Sequence, residues 1–137
     1  MPQENVDEPN GAELIAATYA RWNEGQWAAE HFHADVEWEM SQAAFDQTGP
    51  SRGRDSLMDY WRRFWAAWRP GARWEIDELE RMSGGQVLAC GKLLVVGRSS
   101  GLETEVPVHH LWTVRNGLIV RLVVGDDRET ALKAAEG

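Results

Sequence analysis

Apolar positions recur at helical intervals through the first half of the chain. In "AELIAATYARWNEG" the side chains of Leu14, Thr18, Tyr19 and Trp22 return every three or four residues, and Gly25 can end the helix. A short second helix is predicted in "QWAAEHF". Two predicted helices therefore precede the first stretch with the two-residue period of a β-strand.

A wide apolar stripe marks a third helix in "DSLMDYWRRFWAAWRPG". Asp55 is a plausible N-cap for this helix, and Pro70-Gly71 ends it. The stripe consists of Leu57, Tyr60, Trp61, Phe64, Trp65 and Trp68.

Strict alternation appears in "HADVEWEM", where Val36, Trp38 and Met40 share one face and Glu37 and Glu39 share the other. After a predicted loop in "AAFDQTGPSRG", four strands follow from Trp74 onward, separated by turn residues. A last helix, "RETALKAAE", follows two aspartates, with Asp126 and Glu129 in capping-box spacing. This order predicts an α+β domain whose helices lie on one face of an antiparallel sheet.

The last two strands, "VHHLWTVRNGLIVRLVVGDD", form a hairpin around Asn116-Gly117. A two-residue turn would place His110 opposite Val123. A three-residue loop with Gly117 as a bulge places His110 opposite Leu122, and we favour it because it pairs apolar residues with apolar residues. It predicts an inner face of Val106, Val108, His110, Trp112, Val114, Val120, Leu122 and Val124.

Composition narrows the function classes. A chain of 137 residues with 43% hydrophobic residues can form one domain with its own core, so we expect a flexible segment over 1–12 and a single domain over 13–137. Twenty-two acidic residues against fourteen Lys and Arg argue against binding of nucleic acid. No apolar run approaches the roughly 20 residues that span a membrane. The single cysteine and the polar start "MPQENVDEPNG" predict a cytoplasmic protein.

Eight tryptophans lie largely on the inward stripes of these elements. They can fill an aromatic core between helices and sheet, or they can line an apolar cavity for a ligand. The sequence leaves both interpretations open.

The order and spacing of "EGQWAAEHFHADVEW", "SRGRDSLMDYWRRFW", "GRSSGLETE" and "HHLWTVRNGLIVRLVVGDDRETALKAA" resemble the SnoaL-like branch of the nuclear transport factor 2 (NTF2) and ketosteroid isomerase superfamily. The resemblance covers nearly the whole chain. It implies an NTF2-like cone in which a curved antiparallel sheet wraps around the N-terminal helices and a deep apolar pocket. It also implies a homodimer through the outer sheet face, where Leu111 and Val123 are predicted to leave an apolar patch.

The family's catalytic patterns are only partly present. Alignment with the ketosteroid isomerases puts Trp38, or with a one-residue slip Glu39, at the position of their aspartate base, and the alternation turns Trp38 inward. That chemistry is disfavoured, and the Asp-Arg-Asp arrangement of limonene-epoxide-hydrolase-like enzymes is not found. Polyketide cyclases and scytalone-dehydratase-like members pair histidine with aspartate in the pocket, which resembles His110 and Asp126 here.

His110 is the one titratable group on the predicted inner face, where a neutral imidazole can act as a general base or acid. Asp126 is a weaker candidate, because it would lie about 13 Å along the strand from His110's neighbour and can simply cap the last helix. His31, His33 and Asp35 lack the further ligands of a metal site, and Cys90 lacks an activating partner.

The leading hypothesis is a SnoaL-like pocket protein for a small apolar, cyclic molecule. If it is an enzyme, we expect cofactor-independent isomerisation, cyclisation or dehydration with His110 as the proton-transfer group and without a metal. The alternative is a non-catalytic binding or accessory domain. The residues predicted to contact the ligand are Tyr19, Trp22, Trp38, Met40, Tyr60, Trp61, Phe64, Val108, Trp112, Leu122 and Val124.

Overall fold

The computed structural model describes residues 11–40 and 50–136. Three helices, two single 3₁₀ turns (Ala29–His31 and Ser83–Gly85) and six strands make up this part of the chain. The helices are α1 (Gly11–Asn23), α2 (Arg54–Trp65) and α3 (Arg128–Glu136). The strands are β1 (Phe32–Met40), β2 (Pro50–Arg52), β3 (Arg73–Arg81), β4 (Gln86–Val96), β5 (Glu103–Arg115) and β6 (Leu118–Val124).

The strands form one sheet in the order β2-β1-β6-β5-β4-β3, in which only the β1–β6 pair is parallel within the described residues. Extra residues bend the sheet, as at Asp77 of β3 and Val120 of β6. The predicted α+β fold, a curved sheet around the N-terminal helices, is confirmed. Among the described helices, none has the length and hydropathy of a membrane span.

The inner face of the sheet packs against α1 and α2. Ile15 and Tyr19 of α1 and Leu57 and Trp61 of α2 are buried there, as their helical spacing predicts. The predicted helix in "QWAAEHF" is wrong, because only the single turn Ala29–His31 forms before the chain extends into β1.

The expected N-cap of α2 is also wrong. Gly53, with a positive φ of 111°, occupies the cap position, and Asp55 lies in the first turn. The preceding Pro50–Arg52 pairs with β1, so part of the predicted loop is an edge strand. Residues 43–49 of that loop, and residues 1–10 of the predicted flexible segment, lie outside the described residues; Gly11 and Ala12 already begin α1.

The hairpin adopts neither register that the sequence suggested. Asn116 and Gly117 both have positive φ in a two-residue turn, and the extra residue is Val120 rather than Gly117. His110 therefore pairs with Val124, and Trp112 pairs with Leu122. The bulge turns Ile119 into the core and Val120 to the outer face.

The predicted location of all helices on one face is wrong for α3. This helix packs on the outer face, where Ala131 contacts the cluster of Leu88, Leu111 and Val123. The patch that was expected to be open to a partner subunit is therefore buried by α3. This patch does not support a homodimer.

Polar interactions at its N-terminal end help to hold α3 in place. Asp127 accepts a capping hydrogen bond from the Thr130 N–H at 2.7 Å. Arg128 donates to Glu78 and Glu80 of β3, both at 2.9 Å. The start of α3 is thereby tied to the sheet edge while its apolar face covers β4, β5 and β6.

We expect Ala131→Asp to detach α3, because Ala131 is fully buried and a carboxylate there has no partner. The free energy of unfolding should fall by roughly 2 kcal/mol or more. Urea denaturation measures the loss, and hydrogen exchange localises it to α3. Lys133→Asp on the exposed side of the same helix is the control; equal effects of the two substitutions would contradict this packing.

Candidate functional site

A cleft of about 310 Å³ opens where the ends of α1 and α2 meet the start of β3. Its walls contain six of the chain's eight tryptophans: Trp22, Trp27, Trp61, Trp65, Trp68 and Trp74. Large aromatic rings offer flat apolar contact area with a polar N–H at one edge. The cleft is therefore suited to a flat, apolar ligand.

Local structure sets each wall of the cleft. The residue after Trp27, Ala28, has a left-handed φ of 58°, a backbone conformation that is costly for a residue with a Cβ. The Ala28 side chain is buried. The indole N–H of Trp22 donates to the Trp27 carbonyl at 3.0 Å. Trp27 thereby stays at the rim with 41% of its surface exposed.

The opposite wall comes from the chain between α2 and β3. Trp65 and Trp68 lie at the end of the α2 stripe, and Pro70-Gly71 turns the chain into β3. Asn23 of α1 fixes the start of β3, since its side chain accepts from the Trp74 N–H at 2.7 Å and donates to the Trp74 carbonyl at 3.1 Å. Trp74 is held across from Trp22 by these bonds, with ring centroids 5.0 Å apart.

Behind Trp74 lies a small polar cluster. The Tyr19 hydroxyl is 2.5 Å from His110 Nδ1 and accepts from the Trp112 indole N–H at 3.1 Å. The tautomer of His110 sets the direction of the bond between Tyr19 and His110: Tyr19 donates to Nδ1 when the imidazole proton is on Nε2, and Nδ1–H donates to Tyr19 when the proton is on Nδ1. This chain of donors satisfies three polar groups inside an aromatic core.

Burial controls the charge of this cluster. Loss of solvent lowers the pKa of His110 to about 3, with a smaller contribution from the neighbouring His109. Burial likewise raises the pKa of Tyr19 well above its usual value. His110 is thus a neutral imidazole, and Tyr19 a neutral phenol, at physiological pH.

His110 and the cleft are separated by one layer of rings. The Trp74 ring lines the cleft and also lies 5.5 Å from the His110 ring. His110 is only 3% exposed and is not among the residues that line the cleft. A compound in the cleft would therefore contact Trp74 before it could reach the imidazole.

The residues predicted to contact a ligand divide into two groups. Trp22 and Trp61 line the cleft. The other nine lie in the inner core, eight of them buried and Phe64 half-buried. These nine are Tyr19, Trp38, Met40, Tyr60, Phe64, Val108, Trp112, Leu122 and Val124.

Asp126 lies closer along the strand to His110 than the expected register implied. Val124 is the partner of His110, so Asp126 is only two positions beyond that partner. However, Asp126 is exposed after the end of β6, whereas the His110 ring is buried against Tyr19, Trp74 and Trp112. The structure does not bring the two into one site.

The other candidates identified from the sequence are separate from this cluster. His31 Nδ1 lies 2.7 Å from Thr18 Oγ1, and His33 Nδ1 accepts from the Asp35 N–H at 3.0 Å. Among residues 11–40 and 50–136, no three His, Cys, Asp or Glu side chains form a metal-binding group. Burial raises the pKa of the half-buried Cys90 thiol, which disfavours a reactive thiolate.

Four tryptophans of the cleft and two arginines were missed by the sequence-based prediction. The tryptophans are Trp27, Trp65, Trp68 and Trp74, and the arginines are Arg69 and Arg98. One signal in the sequence could have found four of these six residues, since four of them lie within ten positions around Pro70-Gly71. Periodicity assigned Trp65 and Trp68 to an apolar stripe without showing that the stripe's end is open.

Comparison with known proteins identifies the fold's relatives. TerC co-crystallized with polyporic acid has 21% identity and a TM-score of 0.71, with 93% of this chain and 98% of TerC covered. An NTF2-like protein from Burkholderia thailandensis has 24% identity and a TM-score of 0.71 over 93% of this chain and 97% of its own. SalBIII, an epoxide hydrolase/cyclase-like enzyme in pyran ring formation in salinomycin, has 17% identity and a TM-score of 0.72 over 88% and 93%.

The comparison with curated proteins finds no match. The SnoaL-like domain family, in contrast, matches residues 15–122, which run from α1 into β6. Because this match covers most of the chain and agrees with the sheet order and the helices it encloses, the protein belongs to the SnoaL-like domain family.

Proposed function

We propose that this protein binds a small, apolar, ring-containing molecule in the tryptophan-lined cleft. The observation that carries the proposal is the convergence of six tryptophans, from three separate parts of the chain, on one opening of about 310 Å³. A volume of this size is at the lower end of the roughly 300–1,000 Å³ typical of small-molecule pockets.

Open aromatic surface in the cleft can stabilise a complex. Trp27 is 41% exposed, and Trp65 and Trp68 are half-buried, so water contacts ring surface that a flat ligand can cover. Burial of apolar surface stabilises a complex by about 25 cal/mol per Å², and ring stacking contributes further. The relative TerC, which was co-crystallized with polyporic acid, is consistent with ligand binding by this fold.

Truncation of one wall of the cleft tests the proposal. We expect Trp65→Ala to weaken binding of bicyclic and tricyclic compounds about tenfold or more, because it removes a ring that faces the ligand. Titration by tryptophan fluorescence over a panel of such compounds measures the affinity, and circular dichroism checks the fold.

Leu102→Ala is the matched control, since Leu102 is a 67% exposed apolar side chain that does not line the cleft. Saturable binding that both substitutions weaken equally would contradict the assignment to this cleft. Failure of every panel compound to saturate would overturn the binding function itself.

A second candidate function is cofactor-independent proton transfer by His110 in an isomerisation, cyclisation or dehydration. One specific observation favours it: Tyr19 occupies Nδ1, which leaves Nε2 as the imidazole nitrogen for a substrate. In the tautomer whose Nδ1–H donates to Tyr19, the neutral imidazole can accept a proton at Nε2. Since Trp74 separates His110 from the cleft, this reaction requires the Trp74 ring to turn aside when substrate enters.

We expect His110→Gln to lower turnover by roughly 10² while leaving ligand affinity in the cleft intact. The glutamine amide can still form a hydrogen bond with the Tyr19 hydroxyl, so the fold should persist. Chromatographic recovery of transformed compound measures turnover. His109→Gln, which alters the outer face, is the control; unchanged turnover in the His110 variant would remove this second function.

The charge state of His110 also makes a testable contribution to stability. Below pH about 6.5 the unfolded chain binds a proton at this imidazole, whereas the folded chain does so only near pH 3. Protons thus favour unfolding, and the stability due to the neutral imidazole is complete above pH 6.5 and is lost as the pH falls toward 3.

His110→Gln should remove this pH dependence. Relative to the variant, the wild type should lose up to about 1.4 kcal/mol of unfolding free energy per pH unit between pH 6 and 4. Urea denaturation at several pH values gives both profiles. Parallel profiles for the two proteins would mean that the imidazole is not held neutral by burial.

Two expectations from the sequence stay predictions. A cytoplasmic location rests on the single cysteine. A homodimer through the outer sheet face now rests only on the family resemblance, since α3 covers the patch of Leu111 and Val123.

A further inference from the structure

The charge of the cleft differs from that of the whole chain. The sequence carries a net charge of −8. In contrast, the described residues that line the cleft include Arg69 and Arg98 and neither aspartate nor glutamate. A cleft that is lined by arginines and by no acidic residue, in an otherwise acidic protein, is complementary to an anionic ligand.

The two arginines are set at one rim by backbone pairing. Trp68 and Gly97 form an isolated β-bridge, and the Arg69 N–H donates to the Val96 carbonyl at 2.8 Å while the Arg98 N–H donates to the Ala67 carbonyl at 2.9 Å. Arg98 is braced further, since its side chain donates to the Ala66 and Trp68 carbonyls at 3.0 and 2.9 Å. Both cations therefore border the cleft beside Trp68.

Arg69 is the cation available for a ligand. None of the carboxylates among the described residues pairs with it. Its guanidinium lies over Gly101, where a Cβ would come within 3.2 Å of Nη2. The absence of a side chain at Gly101 leaves room for this group at the rim.

The side-chain acceptors of the cleft are already used. The Asn23 oxygen accepts from Trp74, and the Gln26 oxygen accepts from Arg21 at 2.7 Å. Arg69, in contrast, is a donor at the rim without a carboxylate partner among the described residues. The cleft therefore favours a ligand that supplies acceptors.

We propose that the ring-containing ligand carries a planar oxyanion, such as a carboxylate, that binds Arg69 while its ring lies on the tryptophans. This inference rests on the proposed binding function and specifies its ligand class. A guanidinium matches a carboxylate with two parallel N–H donors.

Three naphthalene probes of one shape test the proposal: 2-naphthoate, its neutral carboxamide and the cationic 2-naphthylmethylammonium. We expect 2-naphthoate to bind about tenfold tighter than the carboxamide and the ammonium compound to bind most weakly. Rising salt should weaken naphthoate binding and leave carboxamide binding unchanged. Isothermal titration calorimetry measures all three.

Arg69→Gln should abolish the preference for naphthoate while keeping the affinity for the carboxamide. Arg62→Gln is the matched control, because Arg62 is exposed on α2, pairs with Asp59 and does not line the cleft. Equal affinities of naphthoate and carboxamide for the wild type would overturn the anion preference but keep the binding function. A preference that survives Arg69→Gln would overturn the role of Arg69, and no binding by any probe would overturn both proposals.

Discussion

The contact between Trp22 and Trp74 is the interaction on which the site depends. These rings, 5.0 Å apart, join α1 to the first residues of β3, which are 52 positions later in the chain. On one side they form the floor of an open cleft, and on the other side they cover Tyr19 and His110. The same two rings therefore separate an apolar binding surface from a buried polar group.

This separation decides the electrostatics of the molecule's interior. His110 is neutral because water is excluded from it, and Tyr19 and Trp112 satisfy its polar neighbourhood without any charge. The charged side chains of the cleft are instead two arginines, Arg69 and Arg98, at its rim. The proposed ligand binding and the proposed proton transfer would thus use two adjacent compartments, which a movement of Trp74 would join.

Alternation of inward and outward residues predicts the faces of β5 correctly but fails on β6. Inward positions on β5 were predicted correctly, because His110 and Trp112 alternate with Leu111 and Thr113 over an unbroken strand. On β6 the prediction fails at Val120, since one extra residue reverses the faces before it. The covering of Leu111 and Val123 by α3 was missed for a different reason: short helical spacing does not specify which face of a sheet the helix will choose.

The sequence by itself determined the family fold, the inward orientation of Trp38, His110 and Trp112, and the aromatic character of the space between helices and sheet. The family fold follows from the resemblance in the order and spacing of the motifs, whereas the inward positions and the aromatic character follow from local periodicity, which states the side of an element on which a residue lies. Only the tertiary structure decided that Trp74 covers His110 and that Trp65, Trp68 and Arg69 border an opening. How deep a residue lies below the surface depends on how the ends of distant elements meet. The period of any one element does not specify this depth.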